Sequence, residues 1–428
     1  MGRVAAAISL IFLVALGGRA FAGVEIVSDQ PSASLLLPYF EVNLDHERTA
    51  NTLMTINNSS ATAILAHVVI WSDLSVPSLG FLVYLTGYDA YTLNLGDLIV
   101  RGLIPQTASA GQDPTDKISP KGQLSQDINF ASCNQILPYP PTAVTGIQLK
   151  GLQDALSGQP SANFGGLCAS INHGDRVARG YVTVDTVNNC TLRFPGDVGY
   201  FGAGGTGDAT NQNVLWGDST FISRASGKAF AQPLVHILAS ATNPLTSTSG
   251  NYTFYGRYDA FTAADNRQPL STNFAARFIN PTSPDGTRYF SGGTSMIVWR
   301  DSKVHQGPFT CSASLPAWYP LGQEGIVIFD EQEHPQTAAS PAHLFPAETQ
   351  RIKVGGSALP TSFDAGWMYL DLNTTVIPAG SNPPIDPAAA QAWVSAVYDN
   401  NAAGNTYRVG ERATLLDSAS SASHVIPH

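Results

Sequence analysis

The chain has 428 residues, length for roughly two or three domains, with 13% charged residues, 39 Gly, 28 Pro and a formal net charge of −10. Low charge with abundant Gly and Pro fits a turn-rich, mostly β extracellular protein better than a helical cytosolic one. No Lys/Arg run stands out, which argues against nucleic-acid binding through a basic patch.

Residues 1–22 read as a secretory signal peptide: Arg3 supplies the positive start, 4–16 the apolar core, and Ala20-Phe21-Ala22 a small-x-small cleavage site. The apolar run is short for a membrane span, and no later segment is long and apolar enough to cross as a helix. No Cys follows the cleavage site to carry a lipid anchor. A transmembrane β-barrel leaves a weak trace in sequence, but the apolar strands here often read as buried on both faces, against a lipid-facing wall.

Residues 33–42 predict a first strand, with Pro38 placing it at an edge or a bend. Four more follow at short intervals. Residues 52–56 are one, and 64–71 form a second that is apolar at almost every position, rich in β-branched residues and suited to burial on both faces. Residues 81–85 form a third. In 91–95, Tyr91, Leu93 and Leu95 alternate with Thr92 and Asn94, the period of a half-buried strand. Asn57-Asn58-Ser59-Ser60 and Thr86-Gly87-Tyr88-Asp89 supply turn chemistry between these runs. Trp71 ends its strand much as the core Trp does in immunoglobulin-like domains, an analogy of pattern.

Residues 105–129 turn polar and read as a surface insertion. Leu149, Leu152 and Leu156 recur at helical spacing, so 144–157 predicts a short helix. Residues 179–185 predict a strand, and the Gly-, Asn- and Asp-rich stretch 195–220 a loop or connection. Strands are expected again at 234–238, 252–258, 274–279, 296–299, 326–329, 351–354, 367–372, 393–398 and 407–416. These elements predict an all-β fold of two tandem antiparallel β-sandwich (immunoglobulin-like) domains, the first carrying a polar insertion with a short helix. The expected boundaries are 23–195 for domain 1 with its insertion at about 105–175, 196–228 for the connection, 229–417 for domain 2 and 418–428 for a flexible tail.

A short internal repeat supports the tandem reading. Ile56-Asn57 pairs with Ile279-Asn280, Ile70-Trp71-Ser72-Asp73 with Val298-Trp299-Arg300-Asp301, and Gly180-Tyr181 loosely with Gly366-Trp367. The longer gap before the third element in the first copy matches the polar insertion.

Cys133, Cys168, Cys190 and Cys311 in an exported chain predict two disulfides. Three connectivities are open, of which Cys133–Cys168 with Cys190–Cys311 is preferred. No CxxC occurs, so thiol redox catalysis and structural zinc lack their usual signatures.

The best candidate for chemistry is Asp330-Glu331-Gln332-Glu333-His334, directly after a strand. Asp330, Glu331, Glu333 and His334 could collect Ca²⁺ or another divalent ion, since hard cations take several oxygen ligands. An acidic edge that discourages sheet-to-sheet pairing accounts for the same run more simply. Asp208, Asn211 and Asn213 could also hold calcium, although turn chemistry suffices for them. His67 and His236 lie in apolar strands, His46, His173 and His305 in loops, and none sits beside a GxSxG elbow or within HExxH. Gly202 to Gly207 lacks the Lys-Ser/Thr of a phosphate loop. Trp216, Tyr252, Tyr255, Tyr258, Trp318 and Tyr319 are candidates for stacking on sugars or for the core.

Three function classes fit. A structural or adhesive, non-catalytic surface component leads, with a partner protein or glycan at the cell surface, copies of itself included. A glycan- or protein-binding module using loops at the sandwich ends is second, and a secreted metal-dependent hydrolase third.

Overall fold

The computed structural model describes residues 30–105, 142–240, 253–258, 264–302, 307–311, 315–316, 318–322, 325–337, 344–373 and 391–416. The leader, the tail, Cys133, Tyr252, His305 and most of the polar insertion lie outside these residues.

The first half runs β1 (Ser34–Asn43), β2 (Asn51–Asn58), β3 (Ile64–Ser72), β4 (Pro77–Leu85), β5 (Ala90–Asn94), α1 (Leu95–Arg101), β6 (Leu103–Ile104), β7 (Thr142–Ala143), α2 (Gly146–Leu156), β8 (Val177–Val187), β9 (Leu215–Trp216), β10 (Asp218–Ser223), β11 (Lys228–Pro233) and β12 (Val235–Ile237). Sheet A has the order β12-β1-β8-β3-β4, and sheet B the order β11-β10-β2-β5 with β9 also beside β2. The second half runs β13 (Asn273–Ile279), α3 (Pro284–Tyr289), β14 (Gly293–Arg300), β15 (Gly325–Asp330), β16 (Pro335–Thr337), β17 (Thr349–Lys353), β18 (Ala365–Asp371), β19 (Ala392–Asn400), β20 (Tyr407–Arg412) and β21 (Thr414–Leu415). Sheet C is β16-β15-β18-β13-β21 and sheet D is β17-β14-β19-β20. The ladders within these four sheets are antiparallel.

Each half closes two sheets on one core. Leu35, Leu37, Val68, Ile70, Val182 and Val184 of sheet A meet Met54, Ile56, Leu93 and Phe221 of sheet B. Phe274, Phe278, Ile326 and Leu370 of sheet C meet Met296, Val298 and Val394 of sheet D. The second face of sheet A is covered as well: Leu36, Val69, Trp71, Tyr181, Val235 and Ile237 pack on Phe254, Tyr255, Leu270, Trp299 and Trp393 of the second half. That is why β3 reads as one apolar run, since all nine of its residues are buried. Trp71 therefore points into the seam between the halves and not into the core between its own sheets, which removes the immunoglobulin analogy for this residue.

Six strands of each half share one connectivity. Taken in chain order, β2, β3, β4, β5, β8 and β10 have the same neighbours as β13, β14, β17, β18, β19 and β21: β5-β2-β10 against β18-β13-β21, and β4-β3-β8 against β17-β14-β19. The Ile56/Ile279 and Trp71/Trp299 pairings fall on equivalent strands. The Gly180/Gly366 pairing does not, because the counterpart of β8 is β19. Trp393 stands opposite Trp299 there as Tyr181 stands opposite Trp71.

Other expectations are corrected. Strands β9 to β12 pair into sheets A and B, so 215–237 completes the first sheet pair instead of connecting two units or opening the second. Residues 253–258 form turns, with Gly256 N–H donating to Thr253 O at 3.1 Å and Tyr258 N–H to Tyr255 O at 2.8 Å. The predicted helix is α2.

Candidate functional site

The Asp330–His334 run is a turn. β15 stops at Asp330, whose Oδ1 accepts from the backbone N–H of Gln332 at 2.9 Å and of His334 at 2.8 Å, while its Oδ2 lies 2.8 Å from His334 Nδ1. Desolvation opposes ionisation, but these His334 and Gln332 hydrogen bonds outweigh it and hold the carboxyl below its ordinary range. Glu333 takes a left-handed φ of 66°, so strand alternation does not extend to Glu331 and Glu333. Among the described residues no group of three or more His, Cys, Asp or Glu is placed to hold a metal ion. In the Gly-rich loop, Asp208 pairs with Arg193 at 3.0 Å, and Asn213 is tied in both directions to the backbone of Ala239.

The cysteines pair differently from expectation. Cys168 is bonded to Cys311, with Cα atoms 5.0 Å apart, which rules out both preferred pairs. Cys190 is also disulfide-bonded. The sequence offered no signal for this choice: Cys168 lies beside Phe309 through reciprocal backbone hydrogen bonds of 2.8 and 2.9 Å, a contact made only by the docking of the two halves.

Most aromatic candidates belong to the core. Tyr255, Tyr258 and Trp318 are buried and Trp216 is 42% exposed. Trp71 stacks on Tyr181 at 5.6 Å, Tyr181 meets Trp299 edge-on at 5.9 Å, and Phe254 stacks on Trp299 at 5.6 Å. The histidines serve packing or pairing: His67 Nδ1 lies 3.2 Å from Tyr200 Oη, His236 Nδ1 2.8 Å from Gln30 O, and His173 Nε2 3.0 Å from Asp73 Oδ2, while His46 is exposed.

The polar groups brought together by the fold are ones that sequence reasoning missed. Arg257, in the turn 253–258, forks onto Glu348 with bonds of 2.8 and 2.9 Å, reaches Asp301 at 3.2 Å and donates to Ser302 at 2.7 Å and to Ser75 of the first half at 3.0 Å. Burial opposes its charge, but Asp301 and Glu348 outweigh it and hold the guanidinium well above its ordinary pKa. A second buried cluster surrounds Asp185 on β8. Arg267 lies 3.4 Å from Asp185 and 3.3 Å from Asp265, and the hydroxyls of Tyr200 and Tyr255 donate to Asp185 at 2.7 and 2.9 Å. Burial and then the Asp185 charge push both phenols far up, so they remain donors at any physiological pH. At the rim of the seam, Arg351 bridges Glu41 of β1 and Asp399 of β19, at 3.2 Å each.

The described chain is thus an antiparallel all-β protein with a disulfide joining its halves. No helix among its described residues is long and apolar enough to cross a membrane. No family model matches the sequence, and no curated protein matches it.

Proposed function

We propose that this chain is a non-catalytic structural and adhesive component of the cell exterior, exported by its leader and acting as one rigid double sandwich. The observation that carries the reading is the seam. Its aromatic side chains and the buried Arg257 and Arg267 bind the halves to each other, so these charges are held by internal partners and not presented to a substrate. The Cys168–Cys311 bond crosses the same junction. Such a unit resists hinge motion and shear, which suits load-bearing or repeated assembly more than lid-gated chemistry. Self-association would use sheet edges such as β5, the last strand of sheet B among the described residues.

The test is the native mass of the exported protein by light scattering, on material collected without a chelator. A polymer or large homo-oligomer is expected. A clean monomer would overturn self-assembly.

A further inference from the structure

One concavity of about 220 Å³ lies over an end of sheet B's outer face. Its floor includes Leu53 of β2 and Ile222 of β10, with Asn51 and Asn94 beside them. Its walls come from three separate segments: Glu47 and Arg48 before β2, Arg224 after β10, and Asp97 and Arg101 of α1. The floor is fixed, because Asn51 Nδ2 donates to Asn94 Oδ1 at 2.8 Å and Asn51 Oδ1 accepts from Gly96 N–H at 2.8 Å.

The charges here are unbalanced in a specific way. Arg101 pairs with both Glu47 and Asp97, which occupies the two carboxylates of the cavity. Arg48 and Arg224 are then left with no side-chain ion pair or hydrogen bond among the described residues. Every other described Lys and Arg of the first half has a carboxylate: Lys150 has Asp154, Arg176 has Asp45, Arg179 has Asp175, Arg193 has Asp208 and Lys228 has Asp399. Arg48 and Arg224 are the two exceptions in the first half, and both line the same cavity.

We propose that this cavity binds the carboxylate of an acidic sugar, a uronic acid unit of a glycan. Two guanidinium forks match the planar carboxylate and supply the counter-charge that the fold leaves open. Leu53 and Ile222 offer an apolar floor to the C–H face of a pyranose ring, which a bare inorganic anion would not use. The proposal gives the adhesive role a ligand class and does not depend on self-association, so a monomeric protein would leave it standing.

The experiment is calorimetric titration of the full exported chain with glucuronate and galacturonate oligosaccharides, with their neutral counterparts and inorganic phosphate as comparisons. Binding is expected for the uronates alone, weakening as ionic strength rises. Arg48→Ala and Arg224→Ala should each weaken it by about tenfold or more, with unchanged melting temperature because both side chains are exposed. Arg176→Ala, which removes a paired arginine outside the cavity, should leave it unchanged. No uronate binding, equal binding of neutral sugars, tighter binding of phosphate than of uronate, or full affinity in both cavity variants would each overturn the proposal.

Discussion

His67 shows how one residue records the design of the seam's flank. It lies in the middle of β3, fully buried, with Tyr200 on one ring nitrogen and Phe194 against its ring at 6.4 Å. Burial pushes its pKa down to about 4 from 6.5, and Asp185 and Asp208 only partly oppose the shift. The folded chain therefore keeps His67 neutral where the unfolded chain takes up a proton. The stability tied to the neutral ring is complete above pH 6.5 and is lost as pH falls through 4, in total about 3 kcal/mol. Urea unfolding measured from pH 7 to pH 4 should show the wild type losing more stability than His67→Gln. Equal losses would mean that the ring is not held neutral. The buried arginines follow a different logic. Their carboxylates make them tolerable more than they make the fold stable, since a buried ion pair recovers little beyond its desolvation cost, whereas removing one partner strands the other.

Among the elements, the segment around Cys168 depends most on a covalent link. It follows α2 and touches the second half through Phe309, close to a small cluster of Leu74, Trp318, Leu321 and Ala347. The bond closes a separation of 143 residues, so its loss enlarges the unfolded ensemble greatly. The Cys168→Ala/Cys311→Ala double variant should lose about 2–5 kcal/mol, read as a lowered urea midpoint under non-reducing conditions. An unchanged midpoint would show that docking alone fixes the segment. Local pattern made many elements legible: the apolar run of β3, the alternation in β5 and the leucine spacing of α2 each name their structure. What stayed illegible was set by distance in the chain. Gly180 and Gly366 look alike because each leaves room for a neighbouring strand's carbonyl, of Trp71 and of Phe329 respectively, where a Cβ would collide. That shared steric demand imitated a repeat, while the true counterpart of β8, bearing Trp393, has no glycine at the matching place. The cavity arginines were equally hidden, because being unpaired is a property of the folded neighbourhood and Arg48 and Arg224 carry no motif.

For the whole molecule, the decisive quantity is how much each sheet pair needs the other. Trp71, Tyr181, Val235 and Ile237 of the first half share one buried cluster with Phe254, Tyr255, Leu270, Trp299 and Trp393 of the second, so parting the halves would uncover this face on both sides. Burying a large apolar side chain of this kind is worth about 1.5–3 kcal/mol, so exposing this face would cost a sum comparable to the entire stability of a typical domain. The ionic rim adds orientation: Arg351 links β1 to β19, and Lys228 of β11 reaches Asp399 at 3.5 Å. The two halves should therefore unfold together although their strands repeat one connectivity. Scanning calorimetry of the oxidised chain is expected to give a single transition, with a van't Hoff enthalpy equal to the calorimetric one. Trp299→Ala should lower the temperature of that transition without splitting it. Two resolved transitions in the wild type would mean that the seam is a contact between independent units, and the rigidity on which the structural role rests would then be lost.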